Sequence, residues 1–83
     1  MAATTGTFKH SDGQKEVEWT WTLNGNFLII RKQGAGLIES LGAEVLHAWL
    51  GEHEGWLVRE YKTHPGQNEP MIVAILWPNT LAT

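Results

Sequence analysis

The stretch 17–31 reads VEWTWTLNGNFLIIR and decides the fold. Apolar and polar residues alternate up to the Asn24-Gly25 pair, and an aromatic and β-branched run begins at Phe27. Alternation with a period of two is typical of a strand with one buried face, and an Asn-Gly pair between two such runs is a strong hairpin signal. The sequence therefore predicts two antiparallel strands, 16–23 and 27–32, joined by a tight turn.

The pairing of these strands depends on the length and position of the turn. A two-residue loop at Asn24-Gly25 gives three favourable cross-strand pairs: Trp21 with Leu28, Trp19 with Ile30, and Glu18 with Arg31. A three-residue loop over 24–26 is the alternative, and it would place Trp19 opposite Arg31. In the preferred register one face collects Val17, Trp19, Trp21, Leu28 and Ile30. The other face collects Glu18, Thr20, Thr22, Phe27, Ile29 and Arg31.

The rest of the chain adds two further strands, a helix and one short strand near the N-terminus. Apolar residues four apart predict a helix over 37–50, with Gly51 as its C-cap; because Gly42 is unfavourable inside a helix, the helix could instead begin at Ala43. We expect strands at 7–10, 56–62 and 71–77, with Trp56, Val58 and Glu60 on one side of the second and Leu57, Arg59 and Tyr61 on the other. Residues 11–14 are expected to form a turn, and residues 1–6 and 79–83 flexible tails.

These elements predict an α+β fold for a single domain spanning residues 1–83. Its four- or five-stranded, mainly antiparallel sheet carries one helix on one face, in the order β-β-β-α-β-β.

Composition excludes several classes of function. The net charge is −3 and the six Lys and Arg residues are scattered, which argues against a nucleic-acid-binding surface. The longest apolar run, 71–77, is far shorter than the roughly 20 residues of a membrane helix. The chain has no cysteine and no visible signal segment, so we expect a cytoplasmic protein.

Candidate chemistry is weak throughout the chain. Gly34-Ala35-Gly36 lacks the third glycine of a dinucleotide fingerprint and is interpreted as a tight strand-to-helix connection. His47 and His53 are six residues apart, which does not suit a metal site, although His53 suits a helix C-terminus. No serine lies in a recognisable nucleophile elbow. We therefore expect no cofactor, no metal and no catalytic residue.

Strand 71–77 has apolar residues on both sides, which is typical of a strand buried on both faces. One helix covers only one face of a sheet, so the second face needs another cover, either the sheet curling on itself or a second molecule. We predict a protein-interaction module that acts as a homodimer, an inhibitor or an adaptor. Its predicted contact residues are Thr20, Thr22, Phe27, Ile29 and Arg31.

An alternative function is a small-ligand-binding protein or cofactor-free enzyme. Its pocket would have tryptophan walls and would use Arg31, Arg59 or His47 as polar anchors.

Overall fold

The computed structural model of the chain describes residues 3–32, 41–64 and 70–79. Five strands form one antiparallel sheet in the order β1-β2-β3-β5-β4, and the single helix of the described residues lies on one face. The elements are β1 (Thr4–Ser11), β2 (Glu16–Asn24), β3 (Phe27–Lys32), α1 (Gly42–Glu52), β4 (Trp56–His64) and β5 (Met71–Pro78). The predicted α+β class and the β-β-β-α-β-β order are confirmed.

The β2–β3 hairpin has a two-residue loop, but the loop is Gly25-Asn26 and not Asn24-Gly25. Asn24 pairs with Phe27, Trp21 with Ile30, and Trp19 with Lys32, so both predicted registers are wrong. Gly25 adopts a φ of 64°, and a glycine with positive φ at the first loop position is typical of a type II′ turn. Because the observed pairing differs from the preferred one by two residues, every side chain keeps its predicted face.

The sheet face that carries α1, called here the covered face, holds the hydrophobic core. Val45, Leu46 and Trp49 recur on one side of the helix and are at most 2% exposed. They pack on buried strand residues: Phe8, Trp19, Trp21, Leu28, Ile30, Ile72, Ala74 and Leu76. Burial of a large apolar side chain contributes about 1.5–3 kcal/mol, so this cluster is the main source of stability.

Two tryptophans connect the helix to the β1–β2 pair. The Trp21 and Trp49 rings meet edge to face, with centroids 5.5 Å apart. Gly6 lies opposite Trp21, and a Cβ at position 6 would come within 2.8 Å of the Trp21 indole. Glycine is therefore required at position 6 by the close approach of the indole ring, in the middle of a strand where it is otherwise unfavourable.

The described helix begins at Gly42, and predicted helical residues 37–40 lie outside the described residues. Gly42 packs on β4: a Cβ there would overlap the Thr63 hydroxyl oxygen and lie 3.2 Å from the Thr63 Cβ. Gly51 is not the C-cap, because the helix continues to Glu52 and is capped by His53. The His53 ring accounts for this: its Nδ1 lies 2.8 Å from the Trp49 carbonyl oxygen, and the ring stacks on the Trp49 indole.

Residues 4–6 are part of β1, which corrects the prediction of a flexible tail over 1–6. Their backbone pairs with 21–23 of β2, and the Thr5 hydroxyl donates to the Trp21 carbonyl at 2.7 Å. At the other end, the Asn79 N–H donates to the Gly55 carbonyl at 2.8 Å. The sheet therefore includes more residues than the apolar pattern predicts. The first residues of β1 are small and polar, so they carry no apolar alternation that would mark a strand.

Candidate functional site

The sheet face opposite α1, called here the open face, carries the candidate site. Its residues fall into cross-strand rows, because directly paired residues point to the same side of a sheet. One row contains Asn24, Phe27, Ile75 and Glu60; the next contains Thr5, Thr22, Ile29, Val73 and Lys62; a third contains Thr7, Thr20, Arg31, Met71 and His64. Apolar residues of β3 and β5 therefore form a central stripe, with threonines on one side and charged β4 residues on the other.

All five predicted contact residues lie on this open face. Phe27, Ile29 and Arg31 alternate along β3, while Thr20 and Thr22 lie beside them on β2. Phe27, Thr20 and Arg31 are exposed, whereas Thr22 and Ile29 are half-buried by their neighbours. Their role as contact residues stays a prediction; the fold brings them together on one surface.

A β-bulge at Arg59 changes the composition of this face. Val58 pairs with Leu76 and Glu60 pairs with Ile75, so Arg59 is the extra residue. The predicted alternation along β4 is therefore wrong after Val58: Glu60 lies on the open face with Leu57, and Tyr61 lies on the covered side with Val58. Strict alternation would have placed the Glu60 carboxylate on the same side as Trp56 and Val58. The placement of a charged residue on the same side as two apolar residues was the sign in the sequence that β4 contains a bulge.

Large apolar side chains are exposed at one end of the open face. Phe27 is 40% exposed, Leu57 is 45% exposed and Trp77 is 51% exposed. Leu57 is paired with Trp77, and the Arg59 guanidinium carbon lies 5.1 Å from the centre of the Trp77 ring. Trp and Arg are the residues most enriched among those that dominate protein–protein binding energies.

A groove of about 380 Å³ lies on the open face between Phe27 and β4. Apolar and charged residues share its lining: Phe27, Glu60, Tyr61, Lys62, His64, Val73 and Ile75. No tryptophan lines this groove. Trp19, Trp21 and Trp49 are buried in the core, Trp56 packs against that core, and Trp77 lies beyond the groove. The proposed polar anchors Arg31, Arg59 and His47 do not line it either.

The other sequence candidates are the histidines and the glycine-rich segment before the helix. Within 3–32, 41–64 and 70–79, no three His, Asp or Glu residues come close enough to hold a metal ion. Gly34-Ala35-Gly36 lies outside those ranges. His53 has a structural role, since a carbonyl accepts only from a protonated nitrogen and the Trp49 contact thus fixes Nδ1–H as the donor.

The Asp12 carboxylate has a shifted pKa but serves the turn between β1 and β2. Its Oδ1 accepts from the backbone N–H groups of Lys15 at 3.0 Å and Gln14 at 2.9 Å. Its Oδ2 lies 3.3 Å from the Nζ of Lys32, a cation that is 7% exposed on the covered face. The Lys15 and Gln14 hydrogen bonds, with help from Lys32, lower the pKa of Asp12 from its ordinary 3.8 to about 2.

The candidate site is therefore the apolar surface of the open face. In the part of the chain that the structure describes, no helix has the length and apolarity needed to cross a membrane. Comparison with protein families, curated proteins and solved structures finds no match to this chain.

Proposed function

We propose that this protein is a protein-interaction module, without a cofactor, that uses its open face to cover an apolar surface of another polypeptide. The observation that supports the proposal is the exposure of the apolar stripe. Met71, Val73 and Ile75 are only half-buried, and Trp77 is 51% exposed. In a chain of this size, contiguous apolar surface rimmed by polar residues marks an interaction site.

The distribution of polar groups supports the same function. The centre of the stripe is apolar, while the threonines of β1 and β2 and the charged residues of β4 surround it. An apolar centre with a polar rim is the usual composition of a protein–protein interface. The Trp77–Arg59 pair supplies a rigid aromatic anchor at the rim of this centre.

A photo-crosslinking amino acid tests the proposal directly. Benzoylphenylalanine at position 27 is placed on the open face, and the same residue at position 44, exposed on α1, is the matched control. After irradiation in the cells that make the protein, we expect a specific adduct from position 27 and none from position 44. Identical adduct patterns from the two positions, or no adduct from either, would contradict the proposal.

The groove supports a second candidate function, the binding of a small amphipathic ligand. Its volume of about 380 Å³ lies in the range of small-molecule sites, and Lys62 and His64 could hold an acidic head group above Val73 and Ile75. Titration calorimetry with decanoate tests this function. Saturable binding that Val73→Trp abolishes would support it, and absence of saturable binding would contradict it.

A further inference from the structure

The order of apolar and charged residues along the open face points to its occupant. We propose that the polypeptide covering it is a second copy of this chain, packed face to face about a two-fold axis. The axis runs across the strands, between the row of Phe27, Ile75 and Glu60 and the row of Ile29, Val73 and Lys62. This inference rests on the proposed function, because it names the partner of the same surface.

Two opposite charges on β4 become complementary when the open face meets a second copy of itself. Glu60 and Lys62 are two residues apart on β4, point to the same face and are both exposed. Among the described residues neither forms an ion pair. A two-fold axis between their rows places Glu60 of each copy against Lys62 of the other, so one contact creates two opposite-charge pairs. In an isologous interface every favourable pair occurs twice.

The apolar stripe is matched by the same operation. Phe27 of one copy meets Ile29 of the other, and Ile75 meets Val73. The groove between Phe27 and β4 is then filled by side chains of the second copy. At the end of the stripe the 51% exposed Trp77 meets Met71, a favourable contact between a sulfur atom and an aromatic ring. Two sheets packed in this way resemble the halves of a β-sandwich.

The area of the face suits a dimer of moderate strength. Strands about 4.8 Å apart, with a rise of about 3.3 Å per residue, give the five-stranded sheet a face of roughly 24 Å by 26 Å, or about 600 Å². Two copies would bury at most about 1,200 Å², the lower end of the range for specific interfaces, because α1 contacts both edge strands and the sheet therefore curves around it. Since interfaces of this size are often transient, we expect a dissociation constant on the order of micromolar.

Charge reversal at the two β4 positions tests this arrangement. Glu60→Lys places lysine against lysine, and Lys62→Glu places glutamate against glutamate, so each single variant should dimerise at least about tenfold more weakly. An equimolar mixture of the two variants restores both opposite-charge pairs and should form a heterodimer. The double variant should dimerise like the wild type. Sedimentation velocity over a micromolar to submillimolar range measures all four samples.

Matched controls separate this effect from a change in net charge or folding. Glu44→Lys and Lys15→Glu make the same charge changes at exposed positions away from the open face and should leave dimerisation unchanged. Circular dichroism verifies that each variant is folded. Ile29→Asp, at the centre of the stripe, should abolish dimerisation.

The outcomes distinguish this inference from the proposed function. If the charges at positions 60 and 62 do not change dimerisation, the proposed arrangement of the two copies is wrong. If the chain stays monomeric, the open face is not covered by a second copy. If the chain is monomeric and the probe at position 27 crosslinks a different protein, the proposed function is supported and only the inference of a second copy is wrong. A monomeric chain with no position-27 adduct overturns both.

Discussion

Ile29 and Ile30 are neighbours on β3 with the same side chain, yet they belong to surfaces of opposite character. Ile30 is fully buried beneath α1, while Ile29 lies half-buried on the open face. The covered face has fully buried side chains and an aromatic contact between α1 and the sheet. The open face has similar apolar content in its centre but no cover from the described helix. The difference teaches that one strand can place the same side chain in a buried core on one side and on an accessible surface on the other, and the proposed function assigns recognition to the second.

The largest expected effect comes from placing a charge on either side of β3. Ile30→Asp buries an unpaired carboxylate and should lower the free energy of unfolding by about 5 kcal/mol or more, which is comparable to the whole stability of a small domain. Ile29→Asp should cost only about 1 kcal/mol in dilute solution. Urea denaturation followed by circular dichroism measures both. Equal losses would mean that the chain covers its own open face.

The next largest difference in stability between the two faces is expected when one tryptophan is removed from each. Trp49→Ala leaves a cavity between α1 and the sheet and should destabilise the fold by about 3–5 kcal/mol. Trp77→Ala removes a side chain that is 51% exposed and should change the stability by less than about 1 kcal/mol. Urea denaturation at a protein concentration below that of self-association makes the comparison. A large loss for Trp77→Ala would place that ring in the intramolecular core.

Substitution of two glycines of α1 tests how the helix packs on the covered face. Gly42→Ala should destabilise by about 1–3 kcal/mol, because the new methyl group overlaps Thr63. Gly51→Ala has open space around it and should stabilise by about 0.5–1 kcal/mol through helix propensity. Thermal unfolding measures both variants. Thr63→Ala should reverse most of the loss in Gly42→Ala, and failure to do so would contradict the proposed overlap.

The smallest effect concerns the Asp12 carboxylate, which accepts hydrogen bonds from Lys15 and Gln14 and contacts Lys32 at the margin of the covered face. Because the pKa of Asp12 is lowered from 3.8 to about 2, its carboxylate stabilises the folded state fully above about pH 4. That contribution is lost as the pH falls through 2. Asp12→Asn should therefore destabilise the protein at neutral pH and flatten the fall in stability across this window. Urea denaturation at several pH values measures it, with Glu54→Gln as the control for loss of one charge.

An unchanged pH dependence in Asp12→Asn would contradict this role. It would mean that the hydrogen bonds from Lys15 and Gln14 and the contact with Lys32 do not distinguish the folded from the unfolded state.

The candidate surface was partly predictable because strand alternation is a local property. The pattern around Trp19, Trp21, Leu28 and Ile30 identified the covered face, and Phe27 and Ile29 were assigned to the other side. The contributions of β4 and the bulge were not predicted. Glu60 and Lys62 reach the open face only because Arg59 is the extra residue against β5. A bulge depends on pairing with a strand far along the chain, which local alternation does not report.

The sequence by itself determined the element order, the presence of the helix and the face of each hairpin residue, because these follow from periods of two and about four along the chain. Tertiary structure decided the register. The Leu76 N–H donates to the Asn26 carbonyl at 2.8 Å, and the Asn26 amide donates to the Leu76 carbonyl at 3.2 Å, so β5 fixes where the hairpin turns. It also decided the helix C-cap, since the His53 ring that contacts the Trp49 carbonyl lies edge to face against Trp21 of β2, with ring centroids 4.8 Å apart. Pairing and packing between distant segments set these features, and a local pattern carries no information about that distance.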